Sequence, residues 1–265
     1  MENLPDPVSL NLRAFSRADA LGYLGQKAVA DAAGAGKNYR IIGGHMVRLL
    51  LNVYPTPEAS IRSTLDSDAA VDDVQVVGEL SEALQRRNFE KRGGNVFYQK
   101  LSADEEIEIN LLLARAGGGA GLGKRKVEGV GEVDTLRELH LVMAMPPVVL
   151  DVCADLGDMG AIQYRTMVPD VEAAVMLKAH SWQQRRNPKD LVDLKSLLEI
   201  RQEHPDISWG LNEKSLRGMR KDTAGILHDL SGRLLRRNQV MLDHGGIDRV
   251  RMAALINTHV TRIDR

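Results

Sequence analysis

A strand-like run, Tyr39-Arg40-Ile41-Ile42, breaks into a double glycine, Gly43-Gly44, and resumes at once as His45-Met46-Val47-Arg48-Leu49-Leu50-Leu51, which has helical texture. A strand that becomes a helix through two glycines lets backbone come close to whatever lies at the turn. It also presents the N–H groups of a helix N-terminus, an arrangement that favours phosphate. The same residues also suit a tight turn with no ligand. The residues downstream separate the two possibilities.

Some seventeen positions past the second glycine stands Ile61-Arg62-Ser63-Thr64-Leu65-Asp66-Ser67-Asp68. On an extended segment Asp66 and Asp68 point to the same side, because side-chain direction repeats every two residues. Like charges held that close repel unless a cation lies between them. Ligands that are all oxygen suit a hard ion such as magnesium, which keeps waters and leans on a phosphate-bearing substrate. An Asp-x-Asp pair alone is also what an Asp/Ser-rich surface turn looks like.

A third acid stands in Ile107-Glu108-Ile109-Asn110-Leu111-Leu112-Leu113, which reads as a strand paired with Val96–Leu101. Ile107, Ile109 and Leu111 take one face; Glu108, Asn110 and Leu112 take the other. A carboxylate in so apolar a strand needs a partner. The alternative is an edge-strand glutamate facing water.

Together, Gly43-Gly44 and Arg62-x-Thr64-x-Asp66-x-Asp68 resemble the signature of the minimal nucleotidyltransferase fold of the polymerase-beta superfamily, and more narrowly the AbiEii/AbiGii-type toxins. One departure is plain: a small polar residue usually follows the second glycine, where His45 stands. A second stretch is similar to the same toxins: Leu177-Lys178-Ala179, then Arg185-Arg186-Asn187-Pro188-Lys189-Asp190-Leu191-Val192-Asp193. The resemblance implies that Asp66, Asp68 and Glu108 hold Mg2+, with Gly43, Gly44, Arg62 and Thr64 around the nucleotide. It implies that Lys178 holds triphosphate oxygens and that Asp190 supports that site. The implied activity is transfer of a nucleoside monophosphate from a triphosphate to an acceptor hydroxyl, with loss of pyrophosphate. A tRNA 3′ end is the implied acceptor, and a toxin–antitoxin or phage-defence pair, with a cognate antitoxin, the implied setting. Transfer to a small molecule or a protein stays open, as does a silent nucleotide- or RNA-binding member of the fold.

Composition limits rather than identifies. The 265 residues carry 35 Lys and Arg against 36 Asp and Glu, so no global field announces a nucleic-acid partner. Basic pairs are nevertheless bunched, at Arg86-Arg87, Lys91-Arg92, Lys124-Arg125-Lys126, Arg185-Arg186 and Arg236-Arg237. Aromatic content of 4% argues against a stacking platform for single strands. The single cysteine, Cys153, leaves no intramolecular disulfide and no thiolate cluster, and its apolar run suggests core. With no run of membrane-spanning length and no basic-then-hydrophobic start at Met1-Glu2-Asn3-Leu4-Pro5, a cytoplasmic protein without membrane contact is expected.

Along the chain, Ser16 is placed to cap a helix to about Ala33, closed by Gly34-Ala35-Gly36-Lys37. That Gly-x-Gly-Lys lacks the upstream glycine and following Ser or Thr of a phosphate loop, since Asp31 and Asn38 stand there. A helix is expected at Val76–Asn88, a basic-tipped loop at 117–126, and further strands at Leu136–Met145 and Val148–Val152. From Asp170 the texture is helical; Asn187-Pro188 opens one helix with a cap and a first-turn proline. His244-Gly245-Gly246 reads as a turn between two last helices. The expected architecture is α+β: a mixed sheet flanked by helices over residues 1–167, then a helical region over 168–265.

Overall fold

The computed structural model describes residues 4–34, 36–117, 121–236 and 247–263. The expected turn at His244-Gly245-Gly246, Gly118–Ala120 of the glycine-rich stretch, Ala35, Arg237 and Met1–Asn3 lie outside the described residues. The protein is α+β and divides into two compact units, Met1–Leu49 with Arg62–Pro169, and Leu50–Ile61 with Asp170–Arg265.

The first unit starts with β1 (Val8–Arg13) and α1 (Arg17–Ala33), whose N-cap is Ser16: its side chain accepts from the Asp19 N–H. Then come β2 (Tyr39–Ile41), α2 (Gly43–Val53), β3 (Ser67–Val71) and α3 (Val74–Arg86). Strands β4 (Glu90–Lys91), β5 (Val96–Lys100), β6 (Glu106–Ala114), β7 (Leu122–Val127) and β8 (Gly131–Leu136) come after α3. The unit closes with α4 (Glu138–Ala144), β9 (Val148–Asp155) and β10 (Ala161–Val168).

Its larger sheet is mixed and runs β2-β3-β6-β5-β4, with β8 on the end of β6 and β7 on β8. β6 is no edge strand: β3 pairs it in parallel on one side and β5 antiparallel on the other. Its alternation is the one expected, with Ile107, Ile109, Leu111 and Leu113 buried and Glu108, Asn110 and Leu112 less so. The buried face packs with α1, where Val29, Val71, Phe97 and Ile109 are fully excluded from water. This apolar layer fixes the register, since a one-residue slip of β6 would bury Glu108 and expose Ile109. A smaller sheet, β1-β9-β10, pairs β1 in parallel with β9, and β9 antiparallel with β10.

Three expectations are corrected here. Leu136–Met145 is not a strand: α4 occupies Glu138–Ala144, because Leu139, Val142 and Met143 recur at helical spacing and bury one face. Lys124-Arg125-Lys126 lies in β7, antiparallel to β8, rather than in a loop. Cys153 is half-buried, not core; it sits on the side of β9 shared with Asp151, while Val152 and Ala154 point inward.

The second unit holds α5 (Val171–Arg185), α6 (Pro188–Glu203), α7 (Gly218–Leu234) and α8 (Arg249–His259). α5 packs on α6 and α7, and α8 packs on α6 and α7 in turn, so the four helices close a ring. Asn187 caps α6 and Pro188 fills its first turn, as their order in the sequence dictates. Among the described residues no helix is long and apolar enough to cross a membrane.

Candidate active site

The double glycine is explained by what crowds it. Gly43 has φ of 70°, the left-handed region, and a Cβ there would overlap the Asp68 carboxylate. A Cβ on Gly44 would come 2.8 Å from Arg62 Nη2 and 3.0 Å from Thr64 Oγ1. The chain is therefore bare at the start of α2 because Asp68, Arg62 and Thr64 press against it. The Ile42 N–H donates to the Asp68 carbonyl at 2.9 Å, locking the glycine turn to β3. The Met46 N–H reaches back to the Ile42 carbonyl, so the Gly43, Gly44 and His45 N–H groups have no acceptor within the helix.

Asp66 precedes β3 and accepts a hydrogen bond from Thr64 Oγ1 at 3.2 Å. Asp68 lies in β3 opposite Asn110 of β6. Asn110 Nδ2 donates to Asp68 Oδ1 at 3.1 Å and lies 3.4 Å from Glu108 Oε1, so one amide spans two carboxylates. Glu108 in turn sits opposite Tyr98 of β5 in the strand register. Burial, then the Glu108 and Glu106 charges, raise the Tyr98 phenol. The Arg92 guanidinium lies 4.4 Å from the Tyr98 ring centre and is paired with Glu90 and Glu106. The polar face of the sheet is thus a continuous row: Asp68, Asn110, Glu108, Tyr98.

His45, where the resembled family has a small polar residue, is fully buried, and neither ring nitrogen has a hydrogen-bond partner. The ring fills the space that a Cβ on Gly22 of α1 would occupy. Burial holds it neutral, pushing its pKa down to about 3.

In the helical unit, Lys178 of α5 is buried, with Nζ 2.6 Å from Asp193 Oδ2 and 3.5 Å from Asp190 Oδ1. Arg185 grips Asp190 through two bonds of 2.9 Å. The Lys178 head is therefore not in water, and two buried carboxylates of α6 hold it. Asp193 was legible as the residue one turn after Asp190 on the same helix face. Tyr98 was not, because its place depends on the register of β5 against β6.

The carboxylates of this row offer oxygen donors, the kind a hard divalent cation takes, but an amide N–H lies between two of them. The donor type suits magnesium; the arrangement does not gather it. Among the described residues no three His, Cys, Asp or Glu side chains are gathered closely enough to hold a metal ion, so Asp66, Asp68 and Glu108 are not a closed ligand set in this conformation.

No family model matches the chain, and no curated protein matches it in sequence. Among solved structures it is similar to an antigenic nucleotidyltransferase-like protein from Paracoccidioides brasiliensis. The two share 14% identity with a TM-score of 0.44, over 82% of this chain and 90% of that one.

Proposed function

We propose that the protein is a nucleotidyltransferase, moving a nucleoside monophosphate from a triphosphate to an acceptor hydroxyl. The observation that carries this reading is the bridging of Asp68 and Glu108 by one amide, beside a glycine turn emptied of side chains. The acceptor oxygen bonds to the α-phosphorus, the bond to the bridging oxygen breaks, and pyrophosphate leaves.

Asp66, Asp68 and Glu108 are the residues that would hold Mg2+, which would supply positive charge to the attacking oxygen and the leaving phosphate. The first N–H groups of α2, at Gly43 and Gly44, suit phosphate oxygens. Arg62 and Thr64 border Gly44 and serve the nucleotide there. The motif resemblance alone supports Lys178 for the triphosphate and Asp190 for its support; in the structure the ammonium is taken up by Asp193 and Asp190. The motif resemblance supports a tRNA 3′ end as acceptor, a toxin role, and an antitoxin partner.

Incubation with each labelled triphosphate, magnesium and total tRNA tests this. Label on the tRNA 3′ end supports the whole reading. Label on protein or a small molecule keeps the transferase and replaces the acceptor. No transfer with any triphosphate overturns it.

A further inference from the structure

Strand β1 is an edge of the small sheet: it pairs with β9 on one side, and among the described residues no strand pairs with it on the other. A bare edge is a template for another strand, and proteins usually blunt one with lysine, proline, a bulge or an inward charge. Val8-Ser9-Leu10-Asn11-Leu12-Arg13 holds neither lysine nor proline, and the residues it turns inward are Leu10 and Leu12. We infer that β1 is a dimerisation edge, pairing antiparallel with β1 of a second copy so that the two small sheets run on as one.

The ladder to β9 decides which backbone groups face outward. The Ala14 N–H donates to the Asp155 carbonyl of β9 at 2.8 Å. Successive residues of a strand turn their N–H and C=O to alternate edges, so Leu12 and Leu10 also face β9, while Asn11 and Ser9 face away from it. Both ends of this outward row are closed. Pro7 has no N–H to give, and the Arg13 carbonyl already accepts from Arg48 Nη2 at 3.4 Å. The stretch another strand can join is therefore Ser9 to Asn11.

A second copy of the same strand fits that stretch in one register. Two-fold pairing about Leu10 sets Ser9 opposite the partner's Asn11, a pair that exchanges both of its N–H···O bonds. On the inner face it sets Leu10 against the partner's Leu10, and Val8 against the partner's Leu12. Val8, 38% exposed in the single chain, gains apolar cover, while the exposed Ser9 and Asn11 keep polar neighbours. Two-fold pairing about Asn11 would instead call on the Arg13 carbonyl that Arg48 holds. A one-residue slip would turn one copy's leucines to the polar face. The pairing about Leu10 is isologous and uses up both β1 edges, so assembly through it stops at two.

Sedimentation equilibrium on the full-length protein and on Asn11→Pro is the first test, with melting to establish that each folds. The wild type is expected to dimerise reversibly. A proline on an edge strand, where the N–H faces outward, is compatible with the fold. Asn11→Pro is therefore expected to melt near the wild type and to weaken the dimer about tenfold, having lost a donor in each copy. The second test needs no proline. In a Cys153→Ser background, which removes the single natural cysteine, Ser9→Cys and Asn11→Cys proteins are oxidised separately and mixed. Opposed positions lie about 5.5 Å apart between Cα atoms, within a disulfide's reach, and like positions about 8 Å apart, outside it. The mixture is expected to cross-link, and neither protein alone. A wild type that is monomeric at every concentration overturns the inference and leaves the edge to a strand of another protein. A dimer that Asn11→Pro leaves intact, or cross-linking as ready in the separate proteins as in the mixture, overturns it by placing the contact elsewhere. Should Asn11→Pro fail to fold, the cysteine pair decides alone.

Discussion

The Asp68 carboxylate lies against the Cα of Gly43, so closely that no side chain fits between them. The glycine turn and the second acid of Asp-x-Asp are thus one piece of structure.

Gly43→Ala is therefore expected to be costly on two counts. The residue's φ of 70° penalises any side chain by about 1–2 kcal/mol, and the new methyl displaces Asp68. Gly129, with φ of 72° and open space around it, is the control. Gly129→Ala should lower the urea midpoint by the conformational penalty alone and leave metal binding untouched; Gly43→Ala should lower both.

Lys178→Met leaves Asp190 and Asp193 buried with less compensating charge, so about 3 kcal/mol of stability should be lost in urea unfolding. An exposed helix lysine would cost only a few tenths of that unit. Asp190 keeps Arg185, and Lys178→Met/Asp193→Leu, which also removes the nearer carboxylate, should recover part of the loss. A Lys178→Met protein as stable as the wild type would remove the buried pair from the account.

His45 and Asp170 should give the pH profile two opposed slopes. The folded pKa of His45, about 3, lies below its unfolded value of about 6.5, so the unfolded chain binds the extra proton between them. The stability from neutral His45 is complete above the upper value and falls as pH falls, by about 2 kcal/mol at pH 5. Asp170, the cap of α5, is pushed up to about 6 by burial, against an ordinary value of 3.8. Here the folded chain holds the extra proton, so stability falls as pH rises through that window. Asp170→Asn keeps a capping oxygen and removes the buried charge. It should raise stability at pH 7 by up to about 3 kcal/mol, while His45→Leu should flatten the loss on the acid side. Urea midpoints from pH 4 to 8 read both.

The sequence was most legible where local rules act alone. Ser16 and Asn187 cap their helices as their side chains require, and β6 alternates as its apolar residues dictate. Gly43-Gly44 announced a close approach, though not that Asp68 was the group approaching. What stayed hidden depends on pairing between distant residues. β1 finds β9 across most of the first unit, and Tyr98 meets Glu108 only through strand register. The motif points Lys178 at phosphate, but α5 is buried nearly all round, and the Lys178 head meets carboxylates of α6 instead. α4 was hidden because its short apolar run fits either period until a fold chooses one.

Glu108→Gln is the sharpest test of the proposed chemistry. The substitution keeps the shape of the side chain, and an amide oxygen can still accept from Asn110, so the row on the sheet survives. Melting temperature in EDTA should stay within a few degrees of the wild type, or rise, because a charge near Asp68 has gone. Nucleotide transfer should fall by about a hundredfold or more, roughly 2.7 kcal/mol in the barrier. Asp66→Asn and Asp68→Asn should behave alike: fold kept, transfer lost. The three acids have different surroundings, Asp66 with Thr64, Asp68 against Gly43, and Glu108 between Asn110 and Tyr98. A purely structural role would therefore give three different melting shifts and no common loss of rate. Transfer that survives Glu108→Gln at near wild-type rate would strike Glu108 from the site; loss of circular dichroism signal in the same variant would make it a structural acid instead.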